Sequence, residues 1–192
     1  MKPIRIALLC VLLATAAWAQ TEDLGLGAFA NPKGPIKLAV DARLADFNPS
    51  SPYVMLVLYM AAGSSDQNIT VNRKDVVMIY KGQELAMPTV SEFRAGYGGE
   101  LRDLDFDKHL GKEGIVSSWI RFYEFPIRQE FFPALKINSS VAVDEGSMTN
   151  FVGFRTRAYF KNPGFQKGDK FVIRVRDKKN PELTGEVEVT LK

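Results

Sequence analysis

Apolar residues recur at every second position through much of this chain, and no segment keeps the spacing of 3.6 residues that an amphipathic helix requires. The clearest examples lie near the end, in residues 151–160, 171–175 and 187–191. Each segment places apolar side chains on one face and mostly charged or polar side chains on the other. A period of two is typical of half-buried strands, so the pattern predicts an all-β protein.

The rest of the chain extends this prediction. Residues 36–44 alternate in the same way, and residues 53–62 are apolar on both faces, as in a central strand. Short apolar runs at residues 69–71 and 76–80 are bounded by turn residues. About eight or nine strands with recurring turns predict a single antiparallel, immunoglobulin-like β-sandwich over residues 36–192. A small closed β-barrel is the alternative.

Two regions are harder to interpret. Residues 94–99 form a glycine-rich stretch that we expect to be flexible, and residues 101–110 fit either a short helix or an edge strand. Residues 115–125 favour a strand that ends at Pro126. The segment between residues 92 and 114 therefore has no single predicted structure.

A family resemblance supports the sandwich. Residues 53–85 combine a long apolar strand, the sequence Asn-Ile-Thr-Val at 68–71 and a strand followed by Lys-Gly at 81–82. This order resembles exported bacterial immunoglobulin-like domains, as does the ending around residues 167–175. The resemblance implies a binding or structural module and carries over no functional residue. The chain departs from antibody-type domains because it lacks their pair of cysteines.

The first residues resemble a targeting signal. Lys2 and Arg5 precede a short apolar run at residues 6–13, and Ala17-Trp18-Ala19 offers the small residues of a cleavage site. Residues 1–19 are therefore predicted to be a signal peptide, which places the protein in the periplasm or outside the cell, with no membrane span after cleavage. An uncleaved anchor helix is the alternative. Residues 20–35, rich in Gly, Ala and Pro, are predicted to be a flexible leader, with a weak edge strand as the alternative.

Charge and cysteine content narrow the function. The chain has 25 Lys and Arg, 22 Asp and Glu, and a net charge of +3. Cleavage after Ala19 would remove two basic residues and Cys10, the lone cysteine. The remaining chain would be nearly neutral and free of thiols. This weakens the argument for a nucleic-acid partner and excludes a cysteine nucleophile.

No motif predicts catalysis, a metal or a cofactor. His109, the single histidine, lies in a charged stretch, and the sequence contains no Gly-x-Ser-x-Gly motif. Three Asp residues alternate along residues 103–107, as at the start of a calcium loop. Lys108 and Gly114 stand where that loop needs its Gly and its bidentate Glu. The acidic residues therefore favour the solvated face of an edge strand, although calcium binding through other ligands stays open.

Four arginines are expected to point outward from two strands: Arg155, Arg157, Arg174 and Arg176. If the two strands are neighbours, these side chains would form a basic surface. The glutamates at positions 186 and 188 are expected on the strand that follows, facing the same way. We therefore favour ion pairs across the strands over a nucleic-acid surface.

Residues 119–132 are dense in aromatic residues and arginine, which are enriched at interfaces. Alternation places part of this segment on an exposed face, while core packing is the alternative interpretation. The predicted binding residues are Trp119, Arg121, Tyr123, Phe125, Arg128 and, in the glycine-rich stretch, Tyr97. The predicted function is non-catalytic binding to an envelope protein or a glycan, with the oligomeric state left open. A carboxylate- or metal-dependent hydrolase of envelope polymers and a small-molecule carrier are the alternatives.

Overall fold

A computed structural model describes residues 21–97, 102, 103, 105, 106, 116, 119, 124–132 and 142–192. Twelve strands and two helices are defined in these residues. The strands are β1 (Glu22–Gly25), β2 (Ala28–Asn31), β3 (Ile36–Asp41), β4 (Tyr53–Ala62), β5 (Asn68–Asn72), β6 (Val76–Tyr80), β7 (Gln83–Ala86), β8 (Glu124–Arg128), β9 (Glu145–Thr149), β10 (Val152–Lys161), β11 (Lys170–Arg176) and β12 (Thr184–Thr190). The helices are α1 (Arg43–Phe47) and α2 (Val90–Gly96), and a 3-10 turn spans Arg73–Asp75.

The strands form two sheets, which confirms the β-sandwich. The larger sheet has the order β1-β2-β3-β4-β10-β9-β5, and β8 is added alongside β10. The smaller sheet has the order β12-β11-β6-β7. All pairings are antiparallel except that of β8 with β10. The sheets do not close into a barrel, so the barrel alternative is wrong.

The central pair, β4 and β10, forms the middle of the larger sheet and is aligned from Phe154 opposite Met60 to Lys161 opposite Tyr53. One face of this pair carries Leu56, Leu58 and Phe160, which are completely buried. The predicted central strand at residues 53–62 is confirmed, because a strand that is apolar on both faces is buried on both.

The predicted hairpin at the end of the chain is also confirmed. Strand β11 pairs with β12 in unbroken register, and the inward residues Phe171, Ile173 and Val187 are buried. The turn between β6 and β7 matches its prediction as well. Lys81 and Gly82 have positive φ angles of 49° and 80°, as a tight two-residue hairpin turn requires.

The flexible leader predicted for residues 20–35 is wrong. Strands β1 and β2 lie within this range, and every residue of β2 is buried. Strand β2 pairs along β3, and the Asn31 side chain donates a 2.9 Å hydrogen bond to the carbonyl of Glu186 in β12. The leader thus joins both sheets. Small alanines around Phe29 allow this close packing, although they give only a weak strand signal.

A further layer covers the outer face of the larger sheet. Helix α2 begins with a capping box, in which Thr89 and Glu92 each bond the other's backbone N–H. Phe93 from this helix packs on Tyr159 of β10 with ring centroids 4.4 Å apart. Residues 94–96 begin the glycine-rich stretch that was predicted to be flexible, but they belong to α2.

One strand prediction in this layer is wrong in its bounds, and one open choice is decided. Residues 116 and 119 are helical, whereas residues 115–125 were expected to form a strand. The strand begins at Glu124 and continues through Pro126 to Arg128, with a register shift against β10. Pro126 has no N–H to donate to the neighbouring strand, and it is tolerated there because the pairing is irregular. Residues 101–110 were expected to form either a short helix or an edge strand, and the described residues 102, 103, 105 and 106 are helical. The helix alternative is therefore correct for them, and the edge-strand setting favoured for the acidic residues is wrong.

Several predictions fall on residues outside the described ranges. These are the signal peptide at residues 1–19 and the side chains of Asp107, His109, Arg121 and Tyr123. In the part of the chain that the structure describes, no helix has the length and hydrophobicity to cross a membrane.

Candidate functional site

The aromatic residues expected at an interface are mostly part of the core. Trp119 is buried and stacks on Phe125, with ring centroids 5.9 Å apart and an angle of 10° between the planes. Phe125 is partly buried and meets Tyr59 of β4 edge-on at 5.6 Å. Trp119 was predicted to contact a partner, but it instead helps to cover the larger sheet. The core alternative applies here because β4 and β10 need cover on both faces.

Of the other predicted site residues, only Tyr97 has a side chain that the structure describes. Tyr97 is buried at the end of α2, and Arg128 lies in β8 opposite Arg155 of β10. Arg121 and Tyr123 lie outside the described residues. The structure therefore brings Trp119 and Phe125 together as packing residues and places Tyr97 elsewhere in the same layer.

Two of the four arginines that were expected to point outward are buried, and the two strands are not neighbours. Arg155 and Arg157 are buried under the covering layer, in a different sheet from Arg174 and Arg176. The Arg157 guanidinium forms a 3.0 Å ion pair with Glu130, and the Arg155 Nε donates a 3.3 Å hydrogen bond to the Tyr59 hydroxyl. Burying an arginine requires such partners, and residues 129–132 supply one of them.

The ion pairs predicted across the smaller sheet are confirmed. Arg174 forms ion pairs with Glu186 on β12 and, at 2.9 Å, with Glu84 on β7. Arg176 also reaches Glu84, at 2.7 Å. Glu186 lies on the strand next to β11, whereas Glu84 lies beyond β6, so these ion pairs extend across the outer face of the smaller sheet. This outer face has little unbalanced charge to attract an anionic partner.

The strongest candidate site is one end of the sandwich, which we call the sandwich end. It comprises the β1–β2 turn (residues 25–27), helix α1 with the loop that follows it (residues 43–52), and the β10–β11 loop (residues 162–168). Two of the three large exposed hydrophobic residues described in the chain lie here, Leu26 with 71% and Phe47 with 77% of its surface accessible. Large apolar side chains exposed together favour an interaction surface.

The three segments of the sandwich end are fixed to one another. The Ala42 N–H donates a 2.9 Å hydrogen bond to the carbonyl of Gly27, which ties α1 to the β1–β2 turn. The Lys192 N–H donates to Asp46 in α1 at 2.8 Å, and the Lys192 ammonium pairs with Asp23 at 2.9 Å. The last residue of the chain therefore holds both segments in place.

A cleft of about 420 Å³ opens at the sandwich end. It lies between the loop after α1 and the β10–β11 loop, and it is lined by Pro49, Ser50, Ser51, Pro52, Asn162, Gly164, Phe165 and Gln166. None of these side chains is charged. The volume falls within the range of sites for small ligands or short polymer segments.

Asn162 joins the two walls of the cleft. Its amide nitrogen donates 2.7 Å hydrogen bonds to the carbonyls of Pro49 and Ser51, and its amide oxygen accepts from the N–H groups of Gly164 and Phe165. Gly164 has a φ of 91°, a conformation that favours glycine. The cleft is thus held in shape by a side chain whose hydrogen bonds are already used, so Asn162 positions the walls.

The floor of the cleft belongs to the core. Phe165 is buried and packs against Tyr80 at 4.8 Å and Phe171 at 5.0 Å. The Tyr80 hydroxyl donates a 2.7 Å hydrogen bond to Asp169, and this bond holds the pKa of the Asp169 carboxyl below its usual value. The β10–β11 loop is therefore anchored from behind by both packing and hydrogen bonding.

A buried polar pair lies on the opposite side of the loop after α1. The Tyr97 hydroxyl donates a hydrogen bond to Asp103, of which only 1% is accessible. Burial raises the pKa of Asp103 and also raises the pKa of Tyr97. Asp103 was expected on a solvated face, and its burial corrects that expectation. A carboxyl group in this setting tends to bind a proton more readily than an exposed one.

The described residues contain no group of three or more His, Cys, Asp or Glu side chains that could hold a metal ion. Asp103 is directed to Tyr97, whereas Asp105 is exposed. The third Asp of the suggested calcium pattern, at position 107, is outside the described residues. Calcium binding near residues 103–107 therefore stays a prediction.

The sequence contained signals for the sandwich end that the aromatic-segment hypothesis passed over. Leu26 is flanked by two glycines, which predicts a tight turn with an exposed apolar tip. Phe47 directly precedes Asn48-Pro49, a turn signal. What sequence reasoning could not provide was the proximity of these turns, because they are joined through Asn162 and Lys192.

No family model, no curated protein and no solved structure matches this chain. The resemblance to immunoglobulin-like domains stays a prediction, and the sandwich itself is established by the strand pairing.

Proposed function

We propose that this protein is an exported, non-catalytic binding module of the bacterial cell envelope, and that it contacts an envelope protein or a glycan through the sandwich end. The observation that carries the proposal is the coincidence of two exposed apolar residues, Leu26 and Phe47, with a rigid, uncharged cleft. Loops at the end of a sandwich commonly present binding residues on a fixed scaffold.

The chemistry of the cleft favours an uncharged partner surface. Its lining offers serine hydroxyls, a glutamine amide and proline rings. Such groups recognise hydroxyl groups or a polypeptide backbone through hydrogen bonds without ion pairing. Binding should therefore depend only weakly on salt, because no charged pair is screened. The carrier alternative is less well supported, since it required a barrel and the sheets remain open.

The test uses matched substitutions at the two ends of the sandwich. Leu26 and Phe151 are both exposed turn residues with positive φ angles, 47° and 63°, which Asn adopts readily. Phe151 precedes β10 and so lies at the end opposite the β10–β11 loop. Leu26→Asn combined with Phe47→Ser removes the apolar surface of the sandwich end, and Phe151→Asn is the control.

Binding would be measured against an array of envelope glycans and against purified envelope proteins immobilised on a sensor. We expect the Leu26→Asn, Phe47→Ser variant to bind its partner at least about tenfold more weakly, as for loss of interface anchors. The Phe151→Asn variant should bind like the wild type. Equal weakening by both variants, or none by the first, would contradict the proposed site.

A further inference from the structure

The smaller sheet ends at β7, and the outer edge of this strand carries open backbone groups. Strand β7 pairs with β6 on one side only. The two-residue turn at residues 81–82 makes Tyr80 and Gln83 a hydrogen-bonded pair, so the N–H and carbonyl groups of Glu84 and Ala86 point away from β6. Both of these residues are exposed, and no other described residue hydrogen-bonds their backbone groups.

Three other edge strands are covered or blunted. At β5, the Thr70 carbonyl accepts a 2.7 Å hydrogen bond from the Lys178 N–H, and the Thr70 N–H donates to Asp177 at 2.9 Å. At β12, the Glu188 N–H donates to the Thr21 hydroxyl at 2.9 Å. Strand β1 is short and its pairing is interrupted by a register shift, a feature that discourages a further strand. Strand β7 differs from these edges because its backbone groups are open to pairing.

The side chains of β7 divide between the two faces of the sheet. Glu84 lies on the outer face, where Arg174 and Arg176 pair with it at 2.9 Å and 2.7 Å. Leu85 lies opposite Met78 on the inner face and is half-buried against the core. An occupant of this edge must therefore accept a neutralised carboxylate on one face and offer an apolar side chain to Leu85 on the other.

We propose that this edge binds the β7 edge of a second copy of the chain, so that the two smaller sheets join into one continuous sheet. In an antiparallel register, Glu84 of each copy lies opposite Ala86 of the other, and each such pair exchanges both of its N–H···O bonds. Leu85 then meets Leu85 of the second copy at the two-fold axis, in a non-hydrogen-bonded pair where side chains come closest. The strand thus supplies both halves of an apolar contact.

Charge favours this register and a second copy as the occupant. Aligning Glu84 with Glu84 of the second copy would place like charges directly opposite, which destabilises an antiparallel pair. In the proposed register a small, uncharged alanine faces each glutamate, and the ion pairs with Arg174 and Arg176 are kept. The sequence Glu-Leu-Ala, read in the opposite direction, is therefore its own complement.

The joined segment is short, so the expected dimer is weak and reversible. Residue 88, the next position whose N–H would point outward, is a proline and has no N–H to donate. Small contact areas are typical of transient complexes. A two-fold contact also closes on itself, because each copy uses its β7 edge once, and it therefore yields a dimer and no fibre.

The dimer has a consequence for the arrangement of the two sandwich ends. The two-fold axis of an antiparallel pair is perpendicular to the sheet and reverses the strand direction, so the two sandwich ends point in opposite directions. One dimer could then hold two partner molecules. That consequence rests on the proposed function, whereas the dimer itself uses different residues and is tested without a partner.

Cysteine cross-linking tests both the contact and its register. Each variant also carries Cys10→Ser, so that the introduced thiol is the only one in the chain. Leu85→Cys places two thiols opposite each other with Cα atoms about 4.5 Å apart, within the range of a disulfide. Ala86→Cys is the matched control, because residue 86 is more exposed but lies diagonally from its copy, about 7–8 Å away. With oxidised glutathione, we expect Leu85→Cys to form disulfide-linked dimers at least about tenfold faster than Ala86→Cys, measured on non-reducing gels.

Sedimentation velocity tests the association without introduced thiols. The wild type should shift from monomer to dimer as its concentration rises. Ala86→Pro removes the outward N–H and places a ring on the edge, so it should weaken association at least about tenfold, whereas Ala86→Ser keeps the N–H and should behave like the wild type. Circular dichroism checks that each variant is folded. If Ala86→Pro does not fold, the cross-linking result decides.

The proposal is overturned if the wild type stays monomeric up to about millimolar concentration, or if Ala86→Cys cross-links as fast as Leu85→Cys. Association that persists unchanged in a folded Ala86→Pro variant also overturns it. The cross-linking is repeated in intact cells, where a disulfide from Leu85→Cys to a cysteine of another envelope protein, in place of the dimer, would identify a foreign strand as the occupant and contradict the second copy.

Discussion

Phe29 tests whether the segment that looks like a flexible leader is part of the folded core. It lies in β2, with only 3% of its surface accessible, and pairs opposite Val40 of β3. A mobile leader would leave this ring in water. The substitution Phe29→Ala therefore distinguishes a packed strand from a mobile leader, because only in a packed strand does removal of the ring lower the free energy of unfolding.

The expected loss follows from the buried surface of the ring. A phenylalanine buries on the order of 150–250 Å², and apolar surface stabilises by about 25 cal/mol per Å². Allowing for what alanine retains and for the cavity left behind, Phe29→Ala should cost about 3–5 kcal/mol. With a urea dependence of about 2 kcal/mol per molar, the unfolding midpoint should fall by about 2 M.

The assay is urea unfolding followed by circular dichroism, with Leu26→Ala as the matched control. Leu26 is only three residues away but is exposed at the tip of the β1–β2 turn, so its substitution should change stability by less than about 0.5 kcal/mol. If Phe29→Ala changes stability as little as Leu26→Ala does, then β2 is not packed in the core and the description of the first two strands is wrong.

Two further substitutions test the centre of the larger sheet and the anchor of the β10–β11 loop. A methyl group on Gly153 would lie 1.9 Å from the backbone oxygen of Met60, so Gly153→Ala should cost at least about 3 kcal/mol or prevent folding, measured by thermal unfolding. Gly82→Ala is its control, because open space surrounds that position and only the left-handed backbone should cost about 1–2 kcal/mol. The pKa of Asp169 is lowered by its bond from Tyr80, so the ionised carboxyl stabilises the fold above its unfolded value of 3.8, and this contribution is lost as the pH falls through the folded value. Asp169→Asn should therefore be less stable than the wild type near neutral pH, the two should converge in acid, and a difference independent of pH would refute this assignment.

Local sequence patterns predicted those strands whose packing depends on residues that lie close together in the chain. The strand at residues 53–62 was predicted from its continuous apolar run and the final hairpin from alternation, because each pattern lies within a single segment. The pairing of Arg174 with Glu186 was likewise predicted, since a hairpin places facing residues at a fixed distance.

The wrong predictions concern residues that are buried by segments distant in the sequence. Arg157 looked like an outward residue because its strand alternates, but Glu130 and the layer around Phe93 bury it. No pattern within β10 could reveal that a segment more than twenty residues earlier in the chain returns to cover its outer face. Trp119, which was predicted to contact a partner, is itself part of this covering layer and stacks on Phe125. Propensity and alternation describe a strand by itself, whereas burial depends on what else packs against it.

The surfaces of the fold favour the sandwich end by their chemistry. The larger sheet is covered on one face by the smaller sheet and on the other by the layer that contains Phe93 and Trp119. The outer face of the smaller sheet is balanced by its own ion pairs around Arg174. A partner at that face would have to compete with existing pairs, and desolvating them costs more than it returns. At the sandwich end, burying Leu26 and Phe47 releases water from apolar surface, and the cleft keeps its shape through Asn162. Among these described surfaces, the sandwich end therefore offers a partner the largest gain in binding free energy for the smallest cost of reorganisation.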